Sequence, residues 1–477
     1  MLGISILKVA EHKGSPRVWI EGANAEKAGF LPATPYRTEK KRDSVILRVI
    51  NPDSAEQPLN DTRHLHVSKK KQRGRELPVL DLNSHKILSP VAGAEVVKVV
   101  FHDGYIVISR IASQQRAIER LKRLKEKLVN KQALAMGGVA AGAGILSDVA
   151  HKGLACAGIE TTLRMHNEVR HDLTEIAAHN NPSVSHETVL LNMPLQELAF
   201  DDEILKEIGP LEIMELGLPC SGASKSGTSR LKLEMAEQHP HVGHLVVGAI
   251  ALIAKLNPVC CVLENVPEYQ ATASAELLRK QLKDLGYDTH EDILSARDFG
   301  GAENRRRWTL VAMTKGIAFD LAALPRTGLA KEPISVHFDP PELVNTRWSK
   351  MEGLKNKQVR DIAAGKGFRM QVYTGQERTI NTLTKGIAKN RSTDPKIQHA
   401  ECPELLRVPT AREHARIKGI DERIIDNVAE TTAHELLGQS LVTHPFLSLF
   451  EHIGNAIKAW DGVIFNQAGQ FQLKFAA

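Results

Sequence analysis

The 477-residue chain is poor in the features that mark several protein classes. It has five cysteines, Cys156, Cys220, Cys260, Cys261 and Cys402, an odd number with no metal-ligand spacing. That argues against a disulfide framework or a structural metal site and for a reducing compartment. No apolar run reaches the eighteen residues a spanning helix needs. The N-terminus lacks the basic-then-apolar pattern and small-residue cleavage site of a secretory signal. Together these absences predict a cytoplasmic protein with no metal and no membrane contact.

What is present suits a globular protein of two or three domains, 42% hydrophobic and 25% charged. Net charge is +6, with Lys and Arg dense at residues 40–42, 69–75 and 116–131. A solvated face explains any one cluster equally well. Three of them point to a polyanion.

Residues 1–110 read as a small basic β domain, available for DNA binding or self-association. Short β-branched runs at 18–21, 44–50, 96–101 and 105–108 are separated by Gly, Pro, Asn and Asp. His102-Asp103-Gly104 forms a hairpin turn between the last two. Residues 111–131 read as a basic linker helix, with Ile118, Leu121, Leu124 and Leu128 at helical spacing. From residue 132 strands alternate with helices, which predicts an α/β, doubly wound, mostly parallel sheet.

Chemistry gathers in this second part. Leu134-Ala135-Met136 leads into a glycine-rich turn ending in Gly142-Ala143-Gly144 and then a helical pattern, an arrangement that lets a cofactor approach the backbone. Residues 154–159 read as the next strand, ending in Glu160, where an acidic residue commonly binds ribose. A strand at 213–216 runs into Leu218-Pro219-Cys220. An isolated Pro-Cys is most often a buried structural cysteine. Here an apolar strand delivers Glu264-Asn265-Val266, and Arg305 and Arg307 alternate at the start of another strand.

In this order the motifs over residues 132–460 resemble the DNA (cytosine-5) methyltransferases. The resemblance implies an S-adenosylmethionine fold with a small target-recognition insertion at 317–377, between the catalytic core at 132–316 and a C-terminal return at 378–477. It makes Cys220 a nucleophile for cytosine C6, with a pKa lowered by nearby donors or cations. Glu264 is implied to bind the N3 and amino edge of the base, partly protonated. Arg305 and Arg307 are implied to stand by the flipped base, and Asn265 to hold the nucleophile loop. S-adenosylmethionine is assigned to Gly142, Gly144, Glu160, Asn192 and Ser440, with no metal. Double-stranded DNA is the implied partner, contacted by Ser224, Lys225 and Arg230 of a mobile loop and by Arg378.

Two positions depart from the family pattern. An aromatic residue is missing from the glycine turn, where Val139 to Ala141 are small, and Glu303 stands where glutamine is usual. The missing aromatic residue leaves an altered cofactor open, the same catalytic set can act on a tRNA cytosine, and a non-catalytic DNA-binding regulator is a third reading. A second, looser resemblance covers about forty residues. Arg17-Val18-Trp19-Ile20-Glu21, the run from Glu26 to Phe30, and Pro35-Tyr36-Arg37 are similar to swapped-hairpin DNA-binding domains.

Overall fold

A computed structural model describes residues 1–50, 65–72, 74–224, 229 and 231–461. They form two compact units that divide between Glu119 and Arg120, inside the helix Ala112–Val129.

The N-terminal unit contains a six-stranded and a four-stranded sheet. Burial alternates along Ser44–Val49 and Val96–His102, so one face of each strand reaches the core with Val45, Leu47, Val97, Val99 and Phe101. His102 pairs with Tyr105, leaving Asp103-Gly104 as the two-residue loop of the hairpin. Strand Ser15–Glu21 pairs antiparallel with Ala10–His12 on one side and with Arg75–Leu82 on the other. The basic strand Ser68–Gln72 is exposed throughout, with Lys69 paired to Glu76 at 2.8 Å and Lys70 to Glu21 at 3.4 Å.

The second unit is built on a seven-stranded sheet. In chain order its strands are Leu134–Val139, Thr161–Asn167, Val189–Leu191, Ile213–Leu216, Cys260–Asn265, Tyr287–Ser295 and Arg306–Thr314. They lie side by side as third, second, first, fourth, fifth, seventh, sixth. The seventh runs antiparallel to both neighbours and the other pairings are parallel. The first and fourth strands are buried along their whole length, as expected of strands covered on both faces.

Residues 154–159 are not a strand. Residues 154–156 end the helix Ile145–Cys156, and the second strand begins only at Thr161. Ile145, Leu146, Val149, Ala150 and Leu154 form a single buried helical stripe that runs on into Ala157 and Ile159, so the helix end resembles an apolar strand. The real strand carries Arg164 and His166 and is the less apolar of the two.

The basic run at 116–131 also reads differently in three dimensions. Arg120, 1% exposed, donates to Asn257 Oδ1 at 3.1 Å and to the carbonyls of Leu285 and Gly286 at 3.0 Å. Its guanidinium lies 3.9 Å from the Tyr287 ring centre. Arg123 and Lys127 both pair with the buried Glu212 at 2.6 Å, and Lys125 with Asp461 at 2.8 Å. These cations fasten the helix to the foot of the sheet, where strand-start carbonyls and Glu212 need donors. They are not a polyanion surface. Among the described residues no helix is long and apolar enough to cross a membrane.

Arg120→Ala strands three acceptors and empties a site beside Tyr287. It should cost about 3 kcal/mol. Chemical denaturation should show the loss as a lower midpoint, and an unchanged midpoint would show that the helix is not fastened here.

Candidate active site

The order of the sheet decides where chemistry can happen. Strand order reverses between the first and fourth strands, and the crevice beyond their carboxyl ends is the ligand position of such sheets. Val139 pairs with Leu216, so the chain leaves both strands at the same level. One exit is the glycine turn and the other is Gly217-Leu218-Pro219-Cys220. Glu264 lies one place further along the fifth strand, next to its last residue, since Leu216 pairs with Leu263.

Cys220 is partly buried. Its carbonyl accepts from Ala223 N at 3.0 Å and Ser224 N at 2.8 Å, which folds the loop back on itself. Asn265 Nδ2 donates to Leu218 O at 2.9 Å and its Oδ1 accepts from Val266 N, tying the strand end to the loop two residues before the thiol. Burial pushes the Cys220 thiol above its ordinary value. Arg307 opposes that shift, Glu264 adds to it and Arg305 opposes it. The expected lowering is therefore not met in the protein by itself, because desolvation outweighs two cations, one of them already paired.

That pair follows from strand register. Glu264 lies opposite Thr309 in an antiparallel pairing, so Arg307, two residues away, is its diagonal neighbour on the same face. Arg307 Nε forms an ion pair with Glu264 Oε1. Arg305 is 5% exposed and donates to Gly438 O at 3.1 Å. Burial lowers its pKa to about 10. A Cβ on Gly438 would sit 2.1 Å from Lys385 N, so only glycine lets the helix Glu430–Gln439 come this close. The role of Gly438 is visible only with the fold in hand. Behind Arg305 lies Glu303, fully buried, with Lys418 at 2.7 Å.

On the other side of the crevice, Ala140, Gly142 and Gly144 all have positive φ, at 49°, 58° and 74°. Gly142 N donates to Glu168 Oε2 at 2.9 Å, and Glu168 Oε1 accepts from Arg170 N. Glu168 follows the second strand directly and is the acidic residue at its carboxyl end. Glu160 is not. It precedes that strand, is exposed, and accepts from Leu134 N at the opposite edge of the sheet. The error comes from the misplaced strand; an acidic residue seven places after the strand start was the available signal. Asn192 Nδ2 donates to the carbonyls of Glu168 and Val169, so it steadies the acidic loop. Ser440 Oγ donates to Leu437 O at 2.7 Å as a helix-end contact.

Under the glycine turn lies Glu215, fully buried and bonded to Ser147 Oγ. A Cβ on Gly138 would stand 2.5 Å from its Oε1, so the missing side chain makes its room. Glu215 Oε2 has no partner among the described residues, and burial raises the pKa to about 8. Nothing in the sequence pattern singled this residue out. Of the residues expected to contact nucleic acid, Ser224 lies in the loop that carries Cys220. Arg378 is exposed, two residues before Ile380, which pairs with Glu303. Lys225 and Arg230 lie outside the described residues. No group of three or more His, Cys, Asp or Glu among the described residues is placed to hold a metal ion.

A family model for the C-5 cytosine-specific DNA methylases matches residues 153–458, more than half of the chain. The chain is similar to the type II methyltransferase M.NlaX of Neisseria lactamica, 24% identical over 252 residues, 52% of this chain and 77% of that protein. It is 24% identical over 243 residues to the type II methyltransferase M1.ScrFI of Lactococcus lactis subsp. cremoris, which is 50% of this chain and 60% of that protein. The S. pombe Dnmt2 methyltransferase structure matches with a TM-score of 0.51 at 18% identity, over 69% of this chain and 99% of that one, a likeness of fold.

Glu215 carries a pH prediction. The folded state keeps its proton up to about pH 8, whereas an ordinary glutamate carboxyl releases it near 4.5. Its contribution to stability is complete below the lower value and is lost as pH rises through the higher one, by up to ~1.4 kcal/mol per pH unit. Glu215→Gln should therefore gain on the wild type as pH rises from 5 to 8. Unfolding curves that stay parallel across that range would show the carboxyl is not held neutral.

Proposed function

The chain belongs to the family of C-5 cytosine-specific DNA methylases, and on that premise we propose how its site works. The enzyme class that comes with the family is DNA cytosine-5 methyltransferase. The observation that carries the assignment of roles is the shared exit level of the strands, which gathers Cys220, Glu264 and Arg307 beside the glycine turn.

A cytosine stacked in a duplex exposes neither ring face, so the base must be flipped into the crevice. Cys220 thiolate then adds to C6, forming an S–C6 bond and moving electron density to N3 and C5. Glu264 holds the N3 and amino edge, and Arg307 shares its charge between Glu264 and the entering base. Arg305 adds positive potential from behind. Asn265 keeps the loop in register for the attack. Loss of the C5 proton and departure of the thiolate restore the ring.

S-adenosylmethionine, as cofactor, supplies the electrophilic methyl group that C5 takes up. The residues fit it. A Cβ on Gly142 would meet nothing within 4 Å, so the turn borders open space, and Glu168 stands beside it at the place a ribose would need. The cofactor contacts proposed here are Gly142, Gly144 and Glu168, with Asn192 and Ser440 shaping the pocket from behind. The small residues in the turn leave the cofactor without an aromatic neighbour there.

Double-stranded DNA is the proposed substrate. Residues 317–377 supply target choice, and Ser224, Arg378 and the exposed basic strand Ser68–Gln72 supply phosphate contacts, which give affinity without sequence preference. The protein acts on DNA in the cytoplasm.

The test is incubation with labelled S-adenosylmethionine and either mixed-sequence duplex DNA or tRNA, followed by nucleoside analysis. Label in 5-methylcytosine from DNA is expected, and label confined to RNA would overturn the substrate. Cys220→Ala should abolish transfer, at least 1000-fold, while duplex binding survives. Methylation by that variant would remove the nucleophile assignment.

A further inference from the structure

We propose that Lys418 is a positioning residue for the site, neutralising Glu303 so that the charge of Arg305 is directed at Cys220. The inference rests on the nucleophile assignment above and goes beyond it to a residue that touches neither substrate nor cofactor.

Glu303 and Lys418 are both 0% exposed. An unpaired charge at either place would be strongly unfavourable, so each requires the other. Glu303 belongs to a two-residue strand paired with Ile380–Asn381, and its Oε1 accepts from Leu383 N at 3.2 Å. Lys418 ends the helix Ala411–Lys418, where the helix dipole favours a cation. Two cations compete for the carboxylate. Lys418 Nζ is 2.7 Å from Oε2, whereas Arg305 Nη1 is 3.4 Å from Oε1, long for a charge-assisted hydrogen bond. The difference decides the partnership. Lys418 holds Glu303, and Arg305 turns its other amino group to Gly438 O.

The groups facing each end are few. Lys418 feels Glu303, Arg305 and Arg307, and His414 lies one turn earlier on its own helix. Cys220 feels Arg307, Glu264 and Arg305. Arg307 is the larger cationic influence at the thiol, but its ion-pair partner Glu264 opposes it there, so Arg305 adds positive potential whose strength depends on what neutralises Glu303.

The experiment is peptide-resolved alkylation of Cys220 by iodoacetamide as a function of pH, in the full-length protein. Lys418→Met should raise the midpoint by about one pH unit, a tenfold slower reaction at fixed pH below it. Glu303→Gln should lower it. The double variant, which leaves no buried unpaired charge, should return close to the wild type. If Lys418→Met does not fold, Glu303→Gln and the double variant still decide, because their midpoints should differ. Equal midpoints in those two, or a wild-type midpoint in Lys418→Met, overturn the proposal. Methyl transfer that persists in Cys220→Ala would instead overturn the nucleophile assignment, so the two failures are distinguishable.

Discussion

The parallel pairing of Leu134–Val139 with Ile213–Leu216 is the constraint on which the rest of the site depends. It fixes two chain exits side by side at a strand-order reversal, and every later feature is placed relative to them. The glycine turn can border a cofactor only because its strand ends level with the one that carries Cys220. The fifth strand, in register with the fourth, brings Glu264 to the same edge, and the antiparallel seventh returns Arg307 to meet it. A slip of one residue between these strands would turn Glu264 away from Arg307.

Around this edge the protein concentrates buried charge. Glu303, Lys418 and Arg305 lie on the Cys220 side, and Glu215 lies under the glycine turn. Each is costly to bury, and each is either paired or held neutral. The foot of the same sheet uses a different solution. There Arg120, Arg123 and Lys127 bring donors from the helix Ala112–Val129, and Glu212 accepts from both Arg123 and Lys127.

The parts legible in the sequence were those fixed by local chemistry. Pro219-Cys220, Glu264-Asn265 and the alternating arginines announce themselves by residue type and spacing, and the alternation of strands and helices gave the sheet. Glu168 was missed because an apolar helix end imitates a strand, which shifted the strand end to Glu160. The helix cations were misread because a sequence shows that Lys and Arg are present, not that Glu212, Asn257 and the carbonyls of Leu285 and Gly286 are waiting for them. Lys418 carries no local signature. It matters only through a contact made across more than a hundred residues of chain, with Glu303.

Trapping on DNA tests the central claim most directly. A mixed-sequence duplex in which 5-fluorocytosine replaces cytosine offers C6 to the thiol but no removable proton at C5, so the S–C6 bond cannot be released. With S-adenosylmethionine present, mass spectrometry should find the DNA on the peptide that contains Cys220, and no adduct with Cys220→Ala. An adduct on another residue, or none while ordinary cytosine is methylated, would contradict covalent catalysis by Cys220.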